Sequence, residues 1–358
     1  MVYNPLKVDL DALRAAVAAE VPGDWASTMW FGTTEDDPGP GQVREALKGG
    51  ATVVIAAGGD GTIRAAAETI AGSGVPLALV AAGTGNLLAR NLDLLADDIP
   101  NAIRTAVRGV DAGIDLARLE IHRPGGVREN AAFVVMAGFG LDAKMLANTD
   151  DELKRRIGWL AYVDAIRKAL RDENRLRMAY RTERGTSRTV SAHTLIVGNC
   201  GALPANILLL PNAVVDDGRY EAVFLRPESV RGWLQIVFKI FWENGVVRRT
   251  PLGRRLLTPD VAALRYVVGR ELQVRLSRPE ELELDGDSFG LATGFDLRID
   301  AGGLTVRVPE GSRPPAVRAG EESDPRPTAL LAAIAILALA AGATVGINRI
   351  LRRRSRRR

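Results

Sequence analysis

Residues 53–64 read Val53-Val54-Ile55-Ala56-Ala57-Gly58-Gly59-Asp60-Gly61-Thr62-Ile63-Arg64. An apolar run stops at two glycines, an aspartate, a third glycine and a threonine. Ala65, Ala66, Ala67 and Glu68 follow, all helix formers. The spacing predicts strand, glycine turn, helix. Such a turn suits phosphate, because glycine lets backbone come close and a helix N-terminus offers free N–H donors. It is not a P-loop, since no Gly-Lys-Ser/Thr follows, and the dinucleotide spacing is absent too. Asp60 sits inside the turn, where an acid opposes a phosphate unless a metal or a proton transfer is involved. The plainer reading makes Asp60 a helix cap in a tight turn.

Residues 75–81 form a second apolar strand, running into Ala82-Gly83-Thr84-Gly85-Asn86-Leu87-Leu88-Ala89-Arg90. Two glycine loops after two parallel strands meet at the C-terminal sheet edge, where α/β sheets bind ligands. Upstream, residues 9–21 carry helical spacing at Leu10, Leu13, Val17 and Val21. Residues 29–31 read as a short strand, 32–41 as a polar loop and 42–48 as a helix. Strand and helix alternate to about Val110, which predicts a parallel three-layer first domain. Only Val2 and Tyr3 of the first strand precede Asn4-Pro5, against roughly five residues in a typical strand. Apolar β-formers encoded before Met1 are therefore expected.

After Asp111 the texture changes. Residues 114–121, 130–136, 176–180, 189–197, 220–225, 271–276 and 304–308 read as strands with turns between, so the second domain is expected to be antiparallel. Two helical insertions, 153–170 and 230–242, carry Trp159, Trp233 and Trp242. They read equally as core helices or as a wall for an apolar substrate.

The chain has 358 residues, enough for two domains and a tail, with ordinary globular proportions of 47% hydrophobic and 25% charged residues. Net charge is +4 and the basic residues crowd at the C-terminus, which speaks against a nucleic-acid partner. One cysteine, Cys200, excludes an internal disulfide framework and a cysteine zinc site. His122 and His193 leave little for a histidine cluster. Met1 to Lys7 lacks the apolar core of a signal peptide. Residues 310–327 are rich in Pro, Glu, Arg and Ser, and are expected to be a disordered linker. Residues 328–347 are uncharged and long enough to cross a bilayer, and an arginine-rich tail, 348–358, follows. A single crossing would leave the arginine tail and the folded domains on opposite sides of the membrane, and arginine-rich flanks favour the cytoplasmic side. The segment is therefore expected to enter and return, or to lie in the interface, with both ends cytoplasmic.

The motifs together carry a resemblance. Asn4-Pro5, Gly58-Gly59-Asp60-Gly61-Thr62 and Gly83-Thr84-Gly85-Asn86 occur in the order seen in the diacylglycerol kinase catalytic family. The resemblance continues through Gly138-Phe139-Gly140-Leu141-Asp142, Gly198-Asn199-Cys200-Gly201, and Pro211-Asn212-Ala213-Val214-Val215-Asp216-Asp217-Gly218. It ends at Leu284-Asp285-Gly286-Asp287. It implies an ATP-binding α/β domain like that of NAD kinases over 1–112 and a β-sandwich lipid-substrate domain over 113–309. It implies that Asn4, Thr34, Gly58, Gly59, Asp60, Gly61, Thr62, Ile63, Arg64, Thr84, Gly85 and Asn86 surround ATP, with Arg90 secondary. Arg64, where the family often has Asn, reads equally as a phosphate partner or a solvated helix charge.

The family motif usually reads Asp-Gly-Glu where this chain has Asp285-Gly286-Asp287. Its acidic end is the implied proton acceptor, so Asp287 is the candidate base and Asp285 the alternative. Asp60 would orient metal or acceptor. The loop at Asp217, with carbonyls of Val214 and Arg219, is implied to hold Mg²⁺, and a second Mg²⁺ to ride with ATP. The implied reaction moves the ATP γ-phosphoryl group to a lipid hydroxyl, with diacylglycerol the leading acceptor. A sphingoid or other lipid alcohol, an NAD kinase-like activity, and an inactive membrane nucleotide sensor are the other readings. The expected place is the cytoplasmic face of the cell membrane, the tail on anionic headgroups; a homodimer is left open. Asp60→Ala is expected to abolish transfer at little cost to the fold.

Overall fold

The computed structural model describes residues 1–23, 27–94, 98–140, 175–185, 187–203, 207–208, 210–226 and 263–312. The insertions 153–170 and 230–242, residues 313–327 of the linker, the apolar segment 328–347 and the arginine tail lie outside them. No helix among the described residues is long and apolar enough to cross a membrane.

The first half alternates as its periodicity predicts: β1 (Val2–Tyr3), α1 (Leu10–Glu20), β2 (Phe31–Gly32), α2 (Pro40–Lys48), β3 (Val54–Gly58), α3 (Asp60–Ile70), β4 (Leu77–Ala81), α4 (Leu87–Asn91) and α5 (Ile99–Arg108). Asp9 starts α1 by accepting the N–H groups of Asp11 and Ala12, and Asp98 caps α5 through the N–H of Asn101. The strands pair in parallel in the order β2-β1-β3-β4. β3 and β4 are buried along their whole length, as continuous apolar runs in a parallel sheet should be. Leu13, Ala16 and Val17 of α1 and Ile103, Ala106 and Val107 of α5 cover Ile55, Ala57, Ala78 and Val80.

The second half is strand-rich: β5 (Val110–His122), β6 (Arg128–Phe133), β7 (Met136–Phe139), β8 (Leu176–Thr182), β9 (Ser187–Ala192), β10 (Thr194–Gly198), β11 (Ala202–Leu203), β12 (Ile207–Leu208), β13 (Tyr220–Leu225), β14 (Leu264–Gly269), β15 (Glu271–Leu284) and β16 (Asp287–Val308). All but β11 and β12, which pair with each other, join the first four strands in one sheet; β16 runs parallel to β4 through Val306 and Leu77 and antiparallel to β5 and β15. The long strands change partners at bulges. β15 pairs with β8 over Leu272–Leu276 and with β7 over Leu282–Leu284, and its register against β16 shifts between Arg275 and Glu280. Their inner faces enclose an aromatic core in which Phe139 stacks on Phe295 and Tyr180 meets Phe224. The fold is thus a mixed α/β sheet.

A tight hairpin turn positions the acidic motif near the end of the chain. β15 and β16 are joined through Asp285 and Gly286, with Leu284 paired to Asp287. Both turn residues have positive φ, 49° and 89°, as a two-residue primed hairpin requires. Aspartate tolerates the first position and glycine the second.

Candidate active site at the two glycine loops

The loops after β3 and β4 touch. A Cβ on Gly83 would stand 2.7 Å from the Gly59 Cα, and one on Gly58 would meet Thr62 at 2.9 Å. Glycine is required at both positions by close approach rather than by φ. Asp60 ties the loops together. Its Oδ2 accepts the N–H of Asn86 at 2.9 Å and its Oδ1 that of Leu87 at 2.6 Å. Asn86, in the left-handed region at φ 48°, turns its own Oδ1 back to accept the Gly83 N–H at 2.8 Å. Arg90 donates from Nε to the Gly85 carbonyl at 2.7 Å. Burial pushes the Asp60 carboxyl above the ordinary carboxylate range, against the pull of its two N–H bonds; neighbouring Asp287 adds to the rise.

The hairpin turn between β15 and β16 brings the two acids of Asp285-Gly286-Asp287 to opposite environments. Asp285 is buried, and its carboxylate accepts three N–H groups, from Val134 at 3.0 Å, Val135 at 2.8 Å and Met136 at 2.9 Å. Its carboxyl is nonetheless pushed up to about 6, because burial outweighs those bonds and the nearby Arg64. Asp287 is exposed. Its Oδ2 lies 2.4 Å from where a Cβ on Gly61 would stand, so its carboxylate rests on the first glycine turn.

The remaining sequence candidates fall as follows. Asn4 donates its N–H to the Ala57 carbonyl at 2.9 Å, which fixes the Asn4-Pro5 turn on the end of β3. Thr34 stands on the loop after β2, its Oγ1 accepting the Asp37 N–H. Thr84 is exposed and Thr62 buried. Ile63 is a core residue, 1% exposed. Arg64 is not a solvated helix charge, its side chain being 12% exposed. Its guanidinium lies over the Phe289 ring at 4.5 Å and pairs with Glu68 at 3.4 Å, so it is packed between α3 and β16.

The loop 214–219 carries the implied metal residues. Asp217 accepts the Arg219 N–H through Oδ1 at 2.9 Å. Beside it stands Asp115, which the sequence reading passed over because it lies inside a strand. Asp115 accepts the N–H groups of Gly218 at 2.6 Å and Gly302 at 2.9 Å. Burial raises the carboxyls of both Asp115 and Asp217, and the neighbouring acids, Asp216 among them, raise them further. Asn199 links this cluster to the hairpin turn: its Nδ2 donates to the Asp115 and Val134 carbonyls, and the Val134 N–H in turn reaches Asp285. The Asn199 Oδ1 is buried with no donor among the described residues. The Asp217 carboxylate and the carbonyls of Val214 and Arg219 are oxygen donors, the type a hard divalent cation takes, while both Asp115 oxygens already accept N–H groups.

Glu120, His122 and Asp296 also converge, but Arg128 and Arg275 already pair with them, so this is a charge-balanced network around the buried His122.

Residues 26–119, which contain both glycine loops, match the family model of the diacylglycerol kinase catalytic domain. The chain is 25% identical over 262 residues to an uncharacterized protein of Synechocystis, covering 73% of this chain and 55% of that protein. It is 30% identical over 294 residues to a probable lipid kinase, YegS-like, of Stenotrophomonas maltophilia, covering 78% of this chain and 86% of the other. The crystal structure of a diacylglycerol kinase from Bacillus anthracis shares the fold, with a TM-score of 0.59 at 17% identity over 87% of this chain and 97% of that one. Identity at that level along most of the Stenotrophomonas protein, joined to the family match across both glycine loops, makes this chain a member of the bacterial diacylglycerol and lipid kinase family.

Proposed function

We propose that this lipid kinase transfers the γ-phosphoryl group of ATP to the free hydroxyl of diacylglycerol, giving phosphatidic acid and ADP, with Asp287 as the base. The observation that carries the assignment is the contrast between the acids. Asp60 and Asp285 have their carboxylates bound to backbone N–H groups, whereas the Asp287 carboxylate lies open on the first glycine turn with no hydrogen bond or ion pair among the described residues.

In this reading the phosphates lie on the backbone of the two loops beside the start of α3; the Asn86 and Leu87 N–H groups at the start of α4 are taken by Asp60 and hold the second loop in place. The acceptor hydroxyl lies between the γ-phosphate and Asp287. As its oxygen bonds to the γ-phosphorus, the bond to the β–γ bridging oxygen breaks and ADP leaves; the hydroxyl proton passes to Asp287. Asp60 and Asp285 are positioning residues, one holding the second loop to the first and the other holding the turn that carries Asp287. Mg²⁺ carried with ATP would neutralise phosphate charge, and Mg²⁺ at Asp217 would brace the loop 214–219. The acceptor is a membrane lipid, so the enzyme works at the cytoplasmic face of the membrane, with residues 328–347 and the arginine tail as its hold on anionic headgroups.

The test is labelled ATP offered with diacylglycerol, a sphingoid base, other lipid alcohols and NAD. Label in phosphatidic acid is expected. Label in another lipid would move the acceptor. ATP binding without transfer to any of them would contradict the reading.

A further inference from the structure

We infer that Arg64 is a positioning residue for the proposed base. Its guanidinium, lying on the Phe289 ring, sets the start of β16 against α3 and so places the Asp287 carboxylate on the first glycine turn. This rests on the reading of Asp287 as the base, and adds what holds that base in place.

Asp287 needs such a hold. No hydrogen bond or ion pair among the described residues fixes its side chain. Its backbone is loosely specified too. Gly286 and Gly290, at φ 89° and 72°, bracket residues 287–289. The ladder to β15 is irregular there: Ser288 faces Glu283 and Leu291 faces Glu281, so Leu282 stands opposite both Phe289 and Gly290. That is a β-bulge, which bends a strand and re-aims a side chain.

Two side chains of this segment reach α3. Asp287 and Phe289 alternate with Ser288, whose hydroxyl turns the other way to Glu281. On α3, Gly61 and Arg64 are three residues apart and share a face. Asp287 rests on Gly61, and the Arg64 guanidinium lies 4.5 Å from the centroid of the Phe289 ring. Two contacts fix a direction where one would fix only a point. The second contact is itself held at both ends. Phe289 packs against the aromatic core. Arg64 is 12% exposed, and its ion pair with Glu68, one turn along α3, keeps the guanidinium over the ring. The Arg64 Nε is buried with no partner among the described residues, so stacking rather than a full set of hydrogen bonds holds the group.

The experiment is single-turnover phosphoryl transfer to diacylglycerol by the full chain, with ATP affinity by calorimetry and a melting curve for each variant. Arg64→Met keeps the helix and the stem and removes the guanidinium, Arg64→Lys returns a cation to the ring, and Phe289→Leu removes the ring. A misplaced base slows the chemical step. Arg64→Met and Phe289→Leu are therefore each expected to lose roughly 10- to 100-fold in rate, with ATP affinity within twofold and melting close to wild type. Arg64→Lys should recover part of the loss. The discriminating comparison is in Asp287→Asn protein, where no base is left to place: there Arg64→Met should change the rate by less than twofold. An equal loss in both backgrounds makes Arg64 a general support of the fold and overturns the inference, leaving the kinase reading standing. Arg64→Met transferring within twofold of wild type overturns it as well. ATP binding weakened in step with the rate makes Arg64 a phosphate partner, and the inference is wrong. Wild-type transfer by Asp287→Asn overturns both the inference and the reading beneath it.

Discussion

Asp60 caps Leu87: the Oδ1 of the acid in the first glycine turn accepts the N–H at the start of the helix after the second, at 2.6 Å. Removing it orphans that donor and the Asn86 N–H together. The expectation of a cheap surface substitution therefore gives way. Asp60→Ala should destabilise the protein by about 1–3 kcal/mol, and should speed hydrogen exchange at Asn86 and Leu87 before any global opening. A melting curve superimposable on wild type would refute the clamp.

Gly83→Ala tests the contact between the loops without touching a charge. The added methyl meets the Gly59 backbone at 2.7 Å, and neither chain has a flexible end to move aside. ATP binding should fall at least tenfold, a loss of about 1.4 kcal/mol or more, while the aromatic core and near-ultraviolet circular dichroism are kept. Unchanged ATP affinity would show that the loops do not have to touch.

Asp285 makes stability depend on pH. Its carboxyl rises from 3.8 in the unfolded chain to about 6 in the fold. The folded state therefore binds the extra proton between these values, and the contribution is full below about pH 4 and lost as pH rises through 6. The loss is on the order of 3 kcal/mol. Denaturant titrations from pH 4 to 7 should show a downward slope that Asp285→Asn flattens, even though the variant starts less stable because an amide oxygen cannot serve three N–H donors as well. An identical slope in the variant would place the proton elsewhere.

The two halves of the chain differ in how much their sequence reveals. The apolar runs at residues 51–57 and 75–81, each followed by a glycine loop, read as strands, and the structure has β3 and β4 there; in the structure Asp9 and Asp98 cap α1 and α5. In the antiparallel half, strand lengths misled. Residues 271–276 and 304–308 read as short strands, whereas the structure continues β15 and β16 past them, with register irregularities between Arg275 and Glu280 and between Asp300 and Leu304 and with Gly294 and Gly302 at positive φ. Residues 189–197 read as one strand, but the chain divides there at His193 into β9 and β10. The glycine loops were legible at the site because close approach demands glycine. Asp115 was not, since it is a single polar residue in a strand. Asp285 and Asp287 were legible as a pair, but their division into a buried acid and an open one depends on which side of a primed turn each falls.

Asp287 carries the proposed chemistry. General-base catalysis contributes on the order of 10²- to 10⁴-fold, and no hydrogen bond or ion pair among the described residues rests on this exposed carboxylate. The decisive measurement is single-turnover phosphoryl transfer to diacylglycerol by Asp287→Asn, read beside its ATP affinity and its melting curve. A rate at least a hundredfold below wild type, with ATP affinity and melting unchanged and transfer retained by Asp287→Glu, is the predicted result; transfer at the wild-type rate by Asp287→Asn would contradict it.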